Sequence, residues 1–275
     1  MSVRYQIAEW FGQPFQNLTV TERQAFARSA LEIDPVPCCP YQGGTPICGK
    51  RGGVCSIRKG CETPVITCPH RFGQGDLLPS WLSRIAGFPE VYLATEVLFM
   101  RSPATGRAAG RIDLVVARDK GAGSWFGLEI QAVYFSGKGM SADFEVLRKN
   151  TDIPPPEPTA LRRPDWRSSS AKRLMPQLQV KAPTLRRWGT KLAVAVDRPF
   201  FESIGGPSET PSRDLNEGDI IWLVPQITDD YRLVEYHWEV LSLEESSDKL
   251  LSAETIKRDE FERALRTRLR CLGKK

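Results

Sequence analysis

Two apolar runs on either side of a turn cluster constrain this chain more than any other stretch of it. Arg111 to Arg118 is carried by Ile112, Leu114, Val115 and Val116, and Trp125 to Phe135 by Leu128, Ile130, Val133 and Tyr134. Both are rich in the β-branched, aliphatic and aromatic residues that suit a pleated surface. Asp119-Lys-Gly-Ala-Gly-Ser124 lies between them with the glycines of a turn, so the pair is predicted to form a β-hairpin. Residues two apart in a strand face the same side, so Glu129 and Gln131 point together, and a suitable register sets Asp113 beside them. Acids packed that closely repel unless solvent or a cation intervenes. Mg2+ is bound by one or two carboxylates while keeping water and phosphate ligands, so Asp113 and Glu129 form a candidate metal site for phosphodiester hydrolysis. The competing reading is a solvated strand face, where most acids of hairpins lie.

A second constraint lies upstream. Of seven cysteines, six fall between Cys38 and Cys68, inside a stretch from 35 to 75 dominated by Pro, Gly and Cys. Such a segment cannot hold itself together by apolar burial and needs a staple. No apolar run approaches the ~20 residues that span a bilayer, and Met-Ser-Val-Arg-Tyr-Gln lacks a signal-peptide core. The expectation is a cytoplasmic protein with no membrane contact, in which cysteines serve a metal rather than disulfides. The ligand candidates are Cys38, Cys39, Cys48, Cys55, Cys61 and Cys68, two more than a four-thiolate site needs. Tetrahedral thiolates select zinc or iron. Redox or nucleophilic thiols compete with this reading, but only His70 and His237 are present to activate them.

At 275 residues, 41% hydrophobic and 26% charged, the chain can bury a sizeable core in one large or two small domains. A helix is predicted over Glu22 to Leu31, capped by Thr19 or Thr21. A second helix is predicted over Leu77 to Met100, with Glu96 near its end and the Pro103 to Gly110 loop just beyond. Residues 141 to 150 read as a third. Asp152 to Pro158 holds four prolines and must be a loop. Lys191 to Val196, Asp219 to Gln226 and Leu233 to Leu243 are strand candidates. Ser252 to Leu272 reads as an amphipathic helix for packing or dimerisation. This order predicts an α/β (α+β) fold with a mixed central sheet flanked by helices.

Net charge is only +5, but Arg162 to Lys191 carries nine Lys or Arg residues against Asp165 alone. Clustered cations gain binding free energy by releasing counterions condensed on nucleic acid, so double-stranded DNA is the expected partner. Arginine and lysine recognise guanine O6 and N7 in the major groove, and Gln177 and Gln179 are interleaved with the basic residues. Arg173, Gln177, Lys181, Arg186 and Arg187 are therefore the candidate DNA-binding residues, suited to a GC-rich target.

Several segments together resemble the NotI-type restriction endonucleases of the PD-(D/E)XK nuclease superfamily. They are Cys39-Pro-Tyr with Cys48, Gly53-Val-Cys55-Ser-Ile, Cys68-Pro-His-Arg-Phe72, Glu96, Gly110-Arg-Ile-Asp113 and Leu128-Glu-Ile-Gln-Ala132. They continue through Arg163-Pro-Asp-Trp-Arg-Ser-Ser, Lys172-Arg-Leu-Met-Pro-Gln-Leu-Gln-Val-Lys181, Leu185-Arg-Arg-Trp-Gly189 and Ala195-Val-Asp197. The resemblance implies a type II site-specific deoxyribonuclease that makes Mg2+-dependent double-strand cuts in GC-rich palindromic DNA. It implies that Asp113 and Glu129 bind the catalytic metal, that Gln131 occupies the place of the superfamily's lysine, and that Glu96 is an additional catalytic acid. It also implies an Fe or Zn site on Cys39, Cys48, Cys55 and Cys68, with Cys38 and Cys61 as departures from the pattern. No proline adjoins Asp113 to complete the name-giving pair. The implied organisation is an N-terminal region with a four-cysteine metal site over 1–75 and a PD-(D/E)XK catalytic and DNA-binding domain over 76–275. The implied partners are a second copy in a homodimer and a cognate methyltransferase. A metal-stapled DNA-binding module with merely structural carboxylates, or a repair or mobile-element nuclease of the same fold, are the alternatives.

Overall fold

The structure, a computed structural model, describes residues 4–44, 46–136, 139–158, 160–251 and 256–269, with only the backbone at 136. At the N-terminus, β1 (Tyr5–Trp10) and β2 (Gln13–Pro14) precede α1 (Val20–Ala30), and β3 (Val54–Lys59) and β4 (Val65–Ile66) complete an antiparallel sheet of order β2-β1-β3-β4. Of the two expected caps, Thr19 starts α1. Its side chain accepts from the Glu22 amide while the Glu22 carboxylate accepts from the Thr19 amide, a reciprocal capping box. Between α1 and β3 the described chain forms turns and a single bridge, Cys38 to Ile47.

α2 (Leu77–Ala86) is shorter than the predicted helix. It ends at Gly87, whose φ of +68° is the left-handed stop that glycine supplies at no steric cost. The rest of the predicted helix is a strand, β5 (Tyr92–Arg101). Tyr92, Thr95, Val97 and Phe99 suit a pleated surface better than a helix, and they outweigh the helical spacing. Glu96 therefore stands mid-strand with a φ of +53°.

The predicted hairpin is β6 (Ala108–Ala117) and β7 (Trp125–Ile130). Beyond it come β8 (Phe135–Ser136), α3 (Ser141–Lys149), β9 (Arg163–Pro164) and α4 (Trp166–Ser169). A π-helical turn over Ser170–Leu174 leads into α5 (Met175–Arg187), and β10 (Lys191–Ala195) and α6 (Arg198–Ser203) follow. The chain then forms β11 (Ile220–Ile227), β12 (Leu233–Leu241), α7 (Leu243–Leu251) and α8 (Arg258–Arg266). The strand predicted to run to Leu243 stops at Leu241, because Ser242 and Glu245 cap α7 reciprocally. The predicted C-terminal helix is described only as α8, and its expected ends, Ser252 and Leu272, lie outside the described residues.

The main sheet has the order β12-β11-β10-β7-β6-β5. β10 runs parallel to both β7 and β11 and the other pairs are antiparallel, so the sheet is mixed. Alternation along each strand feeds two cores. Leu192 and Val194 pack with Leu174, Leu178 and Leu185 on one face, while Ala193 and Ala195 pack with Leu78, Trp81 and Leu82 of α2 on the other. Helices thus flank both faces. No helix among the described residues is long and apolar enough to cross a membrane.

A buried ion pair ties the small sheet to the large one. Arg71 Nε lies 2.8 Å from Glu9 Oε1 and 3.0 Å from Oε2. The same guanidinium donates to the Tyr231 carbonyl at 2.8 Å, in the turn between β11 and β12, and stacks over the Tyr41 ring.

Candidate active site

β6 and β7 pair from Ala117↔Trp125 to Leu114↔Leu128, and there they part. Past that point β6 stays with β5, through Ile112↔Val97, and β7 stays with β10, through Glu129↔Val194 and Ile130↔Ala195. Asp113 and Glu129 are the next residue on each strand, so they face each other across the opening of a fork. Residues opposite one another in antiparallel strands project to the same side. Asp113 Oδ2 accepts from the Ile130 amide at 2.9 Å, taking up a backbone donor that the parted strand no longer satisfies.

The electrostatics follow from this placement. Burial pushes the Glu129 carboxyl up to about 7, and the charge of Asp113 adds to the rise. The Lys181 ammonium and the Asp113 amide draw it back only in part. Asp113 also lies above the ordinary carboxylate range, first from burial and then from Glu96, against the pull of the Ile130 amide and Lys181. Lys181 Nζ is 2.6 Å from Glu129 Oε1. Even so, neither Glu129 oxygen has a donor at hydrogen-bonding angles. Two facing carboxylates, one of them buried with open lone pairs, fit a hard divalent cation. Among the described residues no three His, Cys, Asp or Glu side chains converge on one point. An ion here would complete its shell with water or phosphate, as magnesium does.

The fork opens into a cleft of about 980 Å³. Asp113, Gln131, Glu96, Tyr41, Lys50 and His70 are among the residues that line it, while Glu129, beside the lining residue Ile130, is buried. Gln131 donates its amide to the Ala132 carbonyl at 2.5 Å. Glu96 is exposed, and Arg111 sits 3.8 Å from it.

The predicted DNA-binding residues divide into three sets. Arg173 and Gln177 line the cleft, Arg173 lying over the Tyr134 ring at 3.5 Å. Arg186 and Arg187 lie at the far end of α5, exposed, with Arg186 3.4 Å from Asp219. Lys181 is 4% exposed and faces Glu129 and Gln177 Oε1, the latter at 2.9 Å, so its ammonium is turned away from any base edge. Expected among the DNA-binding residues, it is instead buried by its place on the helix. Leu174, Leu178, Lys181 and Leu185 recur at helical spacing and face the sheet together. Lys50 and Tyr41 escaped the sequence reading. The signal available for Lys50 was its position two residues after Cys48, inside the cysteine cluster.

Cys39, Cys55 and Cys68 are buried and Cys48 half-buried, whereas Cys38 and Cys61 are exposed. Burial raises the thiols of Cys48, Cys55 and Cys68, and their mutual charges raise them further, with Cys39 acting on both Cys48 and Cys68. Lys50 lies among them and donates to the Thr67 carbonyl. The expected four-thiolate centre is not assembled here: among the described residues these cysteines do not gather into a group that could hold a metal.

The sequence model of a family described as restriction endonuclease NotI matches residues 23–238. The chain belongs to the NotI restriction endonuclease family. That match spans β3, the parted strands and α5, and so covers every NotI-type segment set out above. No curated protein matches the chain.

Proposed function

We propose that the protein is a type II restriction endonuclease with a PD-(D/E)XK core that cuts GC-rich palindromic double-stranded DNA with Mg2+. The observation that carries this reading is the fork, which faces Glu129 toward Asp113 where Asp113 lines a cleft of about 980 Å³. Asp113 and Glu129 would hold the Mg2+, which would supply Lewis acidity toward the phosphate and lower the pKa of a water it binds. The chain does the rest by positioning. Asp113 is held by the Ile130 amide, Gln131 offers a neutral amide oxygen where a charge is absent, and Glu96 adds an acid at the rim. Lys50 and Arg173 stand on the cleft walls, where cations attract the sugar-phosphate backbone.

In this reading residues 1–75 form the four-cysteine region, with Cys39, Cys48, Cys55 and Cys68 binding Fe or Zn, and residues 76–275 the catalytic and DNA-binding domain. Their burial supports this ligand set over the exposed Cys38 and Cys61, although the four thiols would have to draw together to share an ion. Metal analysis of the purified protein, with an absorption spectrum, separates coloured ferric thiolate from zinc; finding neither removes the site. A palindromic target calls for a twofold homodimer. α8 supports one, since Phe261 and Leu265 are exposed at a spacing of one helical turn and the helix buries none of its residues. A cognate methyltransferase would protect the host's own sites.

The test is plasmid digestion with and without Mg2+. Defined fragments are expected from the wild type with Mg2+ alone, while Asp113→Asn and Glu129→Gln should lose cleavage and keep DNA binding. Normal cutting by either variant refutes the assignment, and no cutting by the wild type under any divalent metal leaves a DNA-binding module.

A further inference from the structure

We infer that Lys181 is the resident counter-cation of the carboxylate pair, and that it competes with the catalytic divalent metal for Glu129. The inference rests on the reading of Asp113 and Glu129 as metal ligands. Its own ground is a contact that neither the family match nor the sequence pattern assigned. Lys181 Nζ lies 2.6 Å from Glu129 Oε1, with side-chain exposures of 4% and 1%. Gln177 Oε1 accepts from the same ammonium at 2.9 Å, and Gln177 lines the cleft. The ammonium therefore sits between the cleft wall and the buried acid.

The placement is built into the fold. Leu174, Leu178 and Leu185 anchor α5 against the sheet, and Lys181 occupies the same stripe. An unpaired lysine there would be an isolated buried charge, which is strongly disfavoured. Glu129 compensates it, and it compensates Glu129 and Asp113 in turn. Position 131, on the strand itself, holds a neutral amide, so the nearest cation comes from the helix.

Competition follows from distance. A divalent ion bound by a carboxylate lies roughly 2 to 2.6 Å from its oxygen, which is the range the ammonium already occupies on Oε1. Two cations at that range from one oxygen would repel strongly in a partly dry site. For the metal to take Glu129 fully, Lys181 must withdraw toward Gln177 or toward the bound phosphate. The lysine thereby holds the two acids together in the metal-free protein and sets the metal concentration at which the site loads.

The test measures Mn2+ binding by electron paramagnetic resonance on the full chain, without DNA, for the wild type, Lys181→Met, Lys181→Gln and Lys181→Arg. Lys181→Met and Lys181→Gln should bind Mn2+ at least ten-fold more tightly than the wild type. Lys181→Arg, which keeps the charge, should stay within about three-fold. In EDTA the two neutral variants should melt below the wild type, and Mn2+ should restore most of the difference. Unchanged or weaker Mn2+ binding in both neutral variants overturns the competition, since it would place the ion on Oε2 beside a cooperating lysine. A neutral variant that stays unfolded even in Mn2+ also counts against it. A wild type that binds no Mn2+ and cuts no DNA removes the metal-site reading itself, an outcome distinct from equal binding across the variants.

Discussion

Arg71→Met isolates a buried charge that serves Glu9, Gln74 and the Tyr231 carbonyl together. Arg71 is fully buried, and removing its guanidinium leaves Glu9, 1% exposed, with only the Tyr41 hydroxyl at 3.0 Å and the Ser56 hydroxyl at 2.6 Å. Breaking a buried pair by deleting one partner costs about 3–5 kcal/mol, because the survivor's charge stays uncompensated. The Tyr231 carbonyl and Gln74 lose donors as well, so the upper half of that range is expected. With roughly 2–4 °C per kcal/mol for a chain of this size, the melting temperature should fall by about 15 °C. Equilibrium urea unfolding of wild type, Arg71→Met, Glu9→Gln and the double variant gives the measurement. The double variant should be less destabilised than the sum of the singles by at least about 1 kcal/mol. A loss below about 1 kcal/mol in Arg71→Met, or strict additivity in the cycle, would refute the reasoning. Because Pro69, His70 and Gly73 share the Arg71 segment and line the cleft, a weakened pair should also loosen that wall.

Arg173→Ala and Arg187→Ala separate the two ends of the basic stretch, which lie ~20 Å apart along the helical axis. Arg173→Ala should weaken DNA binding and lower the salt dependence by about one phosphate contact, with little change in Arg187→Ala; equal losses by titration at several salt concentrations would contradict the cleft as the DNA path. Asp197 is fully buried, and burial pushes its carboxyl up to about 7 despite the Ile66 and Phe200 amides. The native state then holds a proton that the unfolded chain has released above about pH 4, so stability should decline as pH rises from about 4 to 7, by about 1.4 kcal/mol per unit at most. Glu129 adds a slope of the same sign. Asp197→Asn should flatten its share of that decline in urea titrations, and an unchanged slope would show that Asp197 is ionised throughout.

Five of the six strands of the main sheet, all but β5, were legible because their runs of Val, Ile and Leu carry two-residue alternation or continuous burial. The facing of Asp113 and Glu129 was legible for the same reason, since a hairpin leaves few registers. The helix predicted over Leu77 to Met100 failed where local composition had to be weighed: Gly87 stops it, and the β-branched and aromatic residues after it pair with β6. Lys181 was misplaced because charge was read along the chain rather than around a helix. The stripe Leu174, Leu178, Lys181, Leu185 was present in the sequence, but its meaning needed the acid on the other side, on a strand well upstream. Spacing also could not tell the buried or half-buried Cys39, Cys48, Cys55 and Cys68 from the exposed Cys38 and Cys61.

The parting of β6 from β7 has a mechanical side. Asp113 travels with the outer ribbon of β5 and β6, whose turn carries the exposed Arg107, while Glu129 is bolted to β10 and the interior. No backbone rung joins the two acids, and the side-chain latch from Asp113 to the Ile130 amide spans the gap instead. The spacing of the two carboxylates is therefore set by the register at Leu114↔Leu128 and by that one side-chain contact, not by a continuous ladder between their strands.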